Sequence, residues 1–250
     1  MTSSSHHTEA DQRPSVPLGA LRRLIRQPAR APGAPATSAA PLEHCALCDA
    51  ALAPDHRHLV DRANRALVCA CTACALLFER HGGPAPDVSG AMGGKYQTVP
   101  QRLLALVDFQ LSDEAWDELL IPVNMAFIFR GSSAARPVAY YPSPAGATES
   151  LLSLEQWEAL TARNPILAEM EPDVEALLIN RVGAAREHYL VPIDACYQLV
   201  GIIRTTWRGL SGGAAVWQAI ADFFADLRAR AQAMPAVRAV KGAPDARPEL

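Results

Sequence analysis

No stretch of the 250-residue chain approaches the ~20 apolar residues that a transmembrane helix needs. The first sixteen residues are polar, and the paired arginines of "LGALRRLIRQPARAPGAP" are not followed by the apolar core of a Sec or twin-arginine export signal. A cytoplasmic protein is therefore expected. An excess of one charge is also missing: 23 Lys and Arg against 26 Asp and Glu leave a net charge of −3. That balance removes the electrostatic reason to expect a nucleic-acid partner. Nor are basic and aromatic residues interleaved around the cysteines, which disfavours a nucleic-acid-binding zinc ribbon.

Catalytic motifs are equally scarce. "YYPSPAGATES" has no G-x-S-x-G elbow and reads as a strand end with a loop. "LSGGAAVW" lacks both the P-loop lysine and the G-x-G-x-x-G spacing, and reads as a capped helix start. Seven acids between residues 145 and 180 (Glu149, Glu155, Glu158, Glu169, Glu171, Asp173, Glu175) face one base, Arg163. Such a run is read as a solvated face able to meet a basic partner. No internal repeat and no catalytic constellation emerge.

What the chain does have is cysteine in one place. Five of its six cysteines fall between positions 45 and 74. Cys45 and Cys48 form "CALC", Cys71 and Cys74 form "CTAC", and twenty-two residues separate the pairs. A C-x-x-C turn presents two sulfurs from one backbone knuckle, and a hairpin that brings two knuckles together completes a tetrahedral four-sulfur site. In a chain expected to be cytoplasmic this pattern favours metal ligation over disulfides. A bound metal also supplies folding energy that a module of ~40 residues cannot draw from its own core. The predicted ligands are Cys45, Cys48, Cys71 and Cys74, and the predicted metal is zinc.

Iron is the alternative, because a rubredoxin-like electron carrier uses the same four thiolates. Rubredoxins, however, carry Pro inside the second knuckle and Gly after the knuckles, where this chain has Thr72, Ala73, Ala75 and Asp49. With the second pair leading into a helix, the module is similar to treble-clef and zinc-ribbon fingers. Cys69 is surplus. It is read as a small buried residue, with a substitute ligand and a fifth sulfur beside an iron centre as the other readings. His56 and His58 share a strand face near the knuckles and are read as polar surface residues, with metal ligation as the alternative; His44, beside Cys45, is weighed on the same footing. Cys196 is assigned to the core.

The expected fold class is α+β: an N-terminal zinc-ribbon or treble-clef-like finger over residues 41–80, then an antiparallel sheet domain with packed helices over 101–232. Residues 1–40 read as a disordered tail with a short basic helix around 18–26, a potential docking peptide. Residues 81–100 read as a Gly/Pro-rich linker, and 233–250 as a second tail. Within the sheet domain Ser112 and Ser153 are predicted helix N-caps, the latter in a capping box with Gln156. "VNMAFIFR" and "PVAYYPS" are predicted to form a hairpin. "VEALLINR" and "YLVPIDACYQLVGIIRTTW" are predicted to supply three further strands, and Ser211 to cap the last helix. Adjacent strand pairs imply helices on one side of the sheet.

"CALCDAALAPDHRHLVD", "CACTACALLF", "AYYPSPAGATESLL", "EPDVEALLINR" and "IRTTWRGLSGG" together resemble an uncharacterised bacterial family, a domain of unknown function associated with actinobacterial-type NiFe-hydrogenase gene clusters. The resemblance runs through most of residues 40–230. Together with the lack of a catalytic constellation, it implies a non-enzymatic accessory protein that assists assembly, maturation or electron supply of a hydrogenase. The implied partner is a protein, either a hydrogenase subunit or a maturation factor.

Overall fold

The computed structural model describes residues 43–79, 94–132, 136–150 and 152–236. The expected basic helix at 18–26 and most of the expected linker lie outside these residues, as does the tail beyond 236.

The N-terminal part builds a small three-stranded sheet. β1 (Arg57–Asp61) and β2 (Ala66–Ala70) pair as an antiparallel hairpin that sets His58 opposite Cys69 and Leu59 opposite Val68. The polar turn between them closes with the Arg65 amide donating to the Asp61 carbonyl at 2.7 Å. A short helix, α1 (Thr72–Leu76), follows directly. β3 (Tyr96–Thr98), from the stretch expected to be linker, pairs with the other edge of β1. The Thr98 hydroxyl donates to the Ala75 carbonyl at 2.6 Å, which fastens this strand to α1.

The rest builds a seven-stranded sheet. In chain order its elements are β4 (Leu104–Leu106), α2 (Asp113–Glu118), β5 (Met125–Arg130), β6 (Pro137–Ser143), β7 (Gly146–Ser150) and α3 (Leu154–Arg163). A 3-10 turn (Pro165–Glu169) leads to β8 (Glu175–Asn180), β9 (Glu187–Pro192), α4 (Ile193–Thr206), α5 (Gly213–Arg230) and β10 (Gln232–Met234). The strand order is β10-β4-β9-β8-β5-β6-β7. Every pair is antiparallel except β10 with β4, so the sheet is mixed. The α+β class, the β5–β6 hairpin and both serine caps form as expected, with the Ser153–Gln156 capping box complete.

Three expectations are corrected. Residues 193–206 are helical rather than strand. Ile193, Cys196, Leu199, Val200 and Ile203 recur at helical spacing and bury that face, which outweighs the β-branched composition. The last helix is capped by Gly212, not Ser211: Gly212 has φ +86°, and a Cβ there would sit 2.7 Å from Val216 Cγ1. Helices cover both faces of the sheet rather than one. Met125, Phe127 and Phe129 of β5 pack towards α4 and α5, while Ala126 and Ile128 pack towards Trp116 of α2 and Trp157 of α3. The packed region also runs past residue 232, since Ala236 is fully buried in the second core.

The small sheet is joined to the large one through packing. Val60 of β1 and Val99, just after β3, are buried in the same cluster as Phe127, Ile193 and Phe224. Among the described residues no helix is long and apolar enough to cross a membrane.

One buried group makes the fold sensitive to acid. His188 on β9 stacks on Phe109 with ring centroids 4.5 Å apart. Burial, assisted by Arg181, pushes its pKa down to about 4. Because the unfolded chain binds the proton near the ordinary value of about 6.5, stability is full above that pH and is lost as pH falls towards 4. Between pH 7.5 and pH 5 the wild type should lose about 2 kcal/mol more than His188→Leu, measured by chemical denaturation. Equal losses in the two proteins would show that His188 is not the responsible group.

Candidate metal centre

The two cysteine pairs are positioned by different local structures. In the first, the Asp49 amide donates to the Cys45 carbonyl and the Cys45 amide to the Ala50 carbonyl, both at 2.8 Å. Asp49 closes this knuckle at φ +61°, a left-handed conformation that Asp tolerates better than most residues. The Asp49 that departs from the rubredoxin glycine therefore still makes the turn. The Ala46 amide donates to the Cys69 carbonyl at 2.9 Å, which binds the knuckle to β2.

The second pair lies at a helix start. Cys71 is the N-cap of α1, and its sulfur accepts from the Cys74 amide at 3.4 Å. Ala75 follows within the helix and is fully buried. The chain order is thus knuckle, hairpin, helix.

Together these elements bring the four predicted sulfurs within 4.8 Å of one another, with Cys48 Sγ 3.7 Å from Cys71 Sγ. Zinc–sulfur bonds of about 2.3 Å give a tetrahedron whose sulfurs are about 3.8 Å apart. The cluster can therefore bind a metal ion with little rearrangement. All four cysteines are free thiols. Cys45 is 2 % exposed, whereas Cys48 faces solvent.

The acidity of these thiols points the same way. Burial opposes ionisation of Cys45, but hydrogen bonds with the backbone at Cys71, Leu47 and Cys48, and with the Cys48 thiol, bring it down to about 6. Cys74 is pushed up to about 12, chiefly by the sulfurs of Cys48 and Cys71. One thiolate is favoured and the next is resisted, because negative sulfurs this close repel one another. A cation among them removes that conflict.

The other candidate residues are placed apart from this group. His56, His58 and Cys69 form a second cluster whose ligand atoms all lie within 4.8 Å of one another. Burial, with Glu43 and Cys45 nearby, holds the Cys69 thiol up. His44 belongs to neither cluster; its Nδ1 donates to the Asp49 carbonyl at 2.9 Å. Cys196 is fully buried in the main core as expected, and burial holds its thiol protonated.

The acidic run of residues 145–180 is not one solvated face. Glu175 is fully buried against Arg102, and Asp173 is 7 % exposed, accepting from the Ser132 amide at 2.9 Å. Sequence reasoning also missed Asp194. Its carboxylate accepts from His58 Nδ1 at 2.9 Å across 136 positions of sequence. The signal for it was an acid in the first turn of a helix that had been read as strand.

The sequence pattern of a family of unknown function (DUF5947) matches residues 44–231. That span holds both cysteine pairs, His44, His56 and His58, and the long helices of the described residues. No curated protein and no solved structure matches the chain.

Proposed function

We propose, for a chain that belongs to the family of unknown function DUF5947, a metal-binding accessory protein whose four-cysteine centre holds a structural zinc. The observation that carries this reading is the convergence of Cys45, Cys48, Cys71 and Cys74 within 4.8 Å. Knuckle, hairpin and helix occur in the order of a treble-clef-like finger, and four-thiolate sites in such modules are closed, structural zinc sites. Zinc is favoured over rubredoxin-type iron because the second pair opens a helix and is not a second glycine-closed knuckle.

The finger packs on the sheet domain through Val60 and Val99 and presents a rigid surface with it. Such a protein acts by holding another. The resemblance to a family associated with NiFe-hydrogenase gene clusters proposes the partner: an immature hydrogenase subunit or a maturation factor. The test is a deletion strain compared with the same strain complemented. Assembled and active hydrogenase should fall in the deletion and return on complementation, with zinc in the tagged protein recovered from the host. Unchanged hydrogenase under conditions of expression would remove the partner assignment, and iron in place of zinc would replace the finger with an electron carrier.

A further inference from the structure

The second cluster carries an inference independent of the four-cysteine centre. His58 and Cys69 are directly paired across the β1–β2 hairpin, and His56 lies two residues before His58 on the same face. The rings of His56 and His58 are 4.7 Å apart. Each ring has its Nδ1 occupied by an acceptor. His56 Nδ1 donates to the Ala53 carbonyl at 2.9 Å, and His58 Nδ1 donates to the Asp194 carboxylate at 2.9 Å.

A carbonyl accepts but cannot donate, so the proton of neutral His56 sits on Nδ1 and the lone pair on Nε2. The same assignment holds for His58 against a carboxylate. Carbonyl or carboxylate partners on one ring nitrogen are the arrangement that orients metal-ligating histidines.

The remaining nitrogen of His56 is unusual. Its side chain is 6 % exposed, and Nε2 is buried without a hydrogen-bond partner. A buried imidazole nitrogen left unsatisfied is costly and calls for an explanation. Glu43 Oε2 lies 3.5 Å from it. A lone pair and a carboxylate oxygen facing each other repel unless a proton or a metal cation sits between them, and a metal ion meets this contact and the neighbouring His58 and Cys69 at once. That separation is close to the ~3.3 Å between neighbouring ligands of a tetrahedral zinc with bonds of about 2.0 Å.

The geometry points to a second cation site, in which His56 Nε2, His58 Nε2 and Cys69 Sγ hold a zinc-class divalent ion. Two imidazoles and a thiolate suit borderline cations such as zinc, and do not suit magnesium or calcium. Three protein ligands leave a fourth position for water or another small donor, unlike the closed four-thiolate centre. Glu43, whose Oε2 lies 3.5 Å from His56 Nε2, is a carboxylate close to the cluster. His56, His58 and Asp194 also line a cleft of about 570 Å³ formed with Gln101, Asp226 and Arg230, which gives small donors a route to the histidines. The proposal gives Cys69, half-buried against the finger's cluster, a ligand's role besides its packing.

The test is the zinc content of the full chain after saturation and removal of loosely bound metal, read by native mass spectrometry. The wild type should hold about two zinc ions per chain. His58→Ala and Cys69→Ala should each hold about one. Asp194→Asn should weaken the second ion about 10–100-fold in chelator competition without affecting the first, because it only orients His58. One ion in the wild type, or two in both His58→Ala and Cys69→Ala, would overturn the site. Should His58→Ala lose both ions, Cys69→Ala decides, since its small truncation leaves β1 intact.

Discussion

Cys48→Ser and Cys74→Ser should each release the metal of the proposed four-cysteine centre and open residues 43–79 to proteases. The reason is that, apart from Val60 and Val99 packed into the main core, the knuckles and α1 have only a small cluster to hold them. Its own buried cluster consists of Cys45, Leu52, Leu59, Ala70 and Ala75, with Cys71 and Cys74 packed against it. Four thiolates on zinc contribute on the order of 10–16 kcal/mol in isolated finger peptides at neutral pH, so loss of one ligand removes most of the module's folding energy. Cys48 is the more informative position. It is exposed, so its substitution opens no cavity and any structural loss follows from the metal.

The damage should stay local. The core between the large sheet and helices α4 and α5 contains none of the four site cysteines. Its thermal transition should persist while limited proteolysis cuts within the finger. Full metal occupancy with an intact finger in both variants would contradict the assignment.

The second large effect lies far from the cysteines. Arg102 donates Nε to Glu175 Oε1 at 2.8 Å and Nη2 to Oε2 at 2.6 Å, a two-point grip on a carboxylate that is fully buried. The Glu171 amide supplies a further donor to the same carboxylate at 2.8 Å. The guanidinium is held more firmly protonated by this partner. Arg102→Met leaves a buried charge without its counterion and should cost about 3 kcal/mol, the lower end of the range for broken buried pairs, because the arginine is partly exposed. Combining it with Glu175→Gln should recover much of that loss, since no unpaired charge remains. Chemical denaturation of the single and double variants measures both. A loss under about 1 kcal/mol in Arg102→Met would mean that solvent reaches Glu175.

Much of this architecture is legible in the chain because its signals are local. Two C-x-x-C pairs, the polar turn between β1 and β2, and serines three residues ahead of Ala115 and Gln156 each announce their own structure. Two of the errors come from burial, of the sheet on both faces and of one face of helix α4, and the third from the left-handed backbone at Gly212. "AFIF" in β5 and "ALLI" in β8 are continuous apolar runs, the mark of strands covered on both faces, and they indicated helices on both sides of the sheet. "CYQLVGII" is apolar and β-branched, yet its buried positions fall at helical spacing, and tertiary packing overrides propensity there.

The candidate site divides in the same way. The convergence of Cys45, Cys48, Cys71 and Cys74 follows from two C-x-x-C pairs that are each local in sequence. The separation of Cys69, His56 and His58 into their own cluster required the hairpin register. The Asp194 partner of His58 comes from a helix that arrives only after the whole sheet has formed, and no local pattern reports such a contact.

The most direct measurement of the central claim is zinc-edge X-ray absorption on the His58→Ala protein, in which the histidine cluster is disabled and the four-cysteine centre is untouched. The account predicts a shell of four sulfurs at about 2.3 Å and no nitrogen or oxygen neighbours. A shell containing nitrogen, or fewer than four sulfurs, would contradict the assignment of Cys45, Cys48, Cys71 and Cys74 as the ligands.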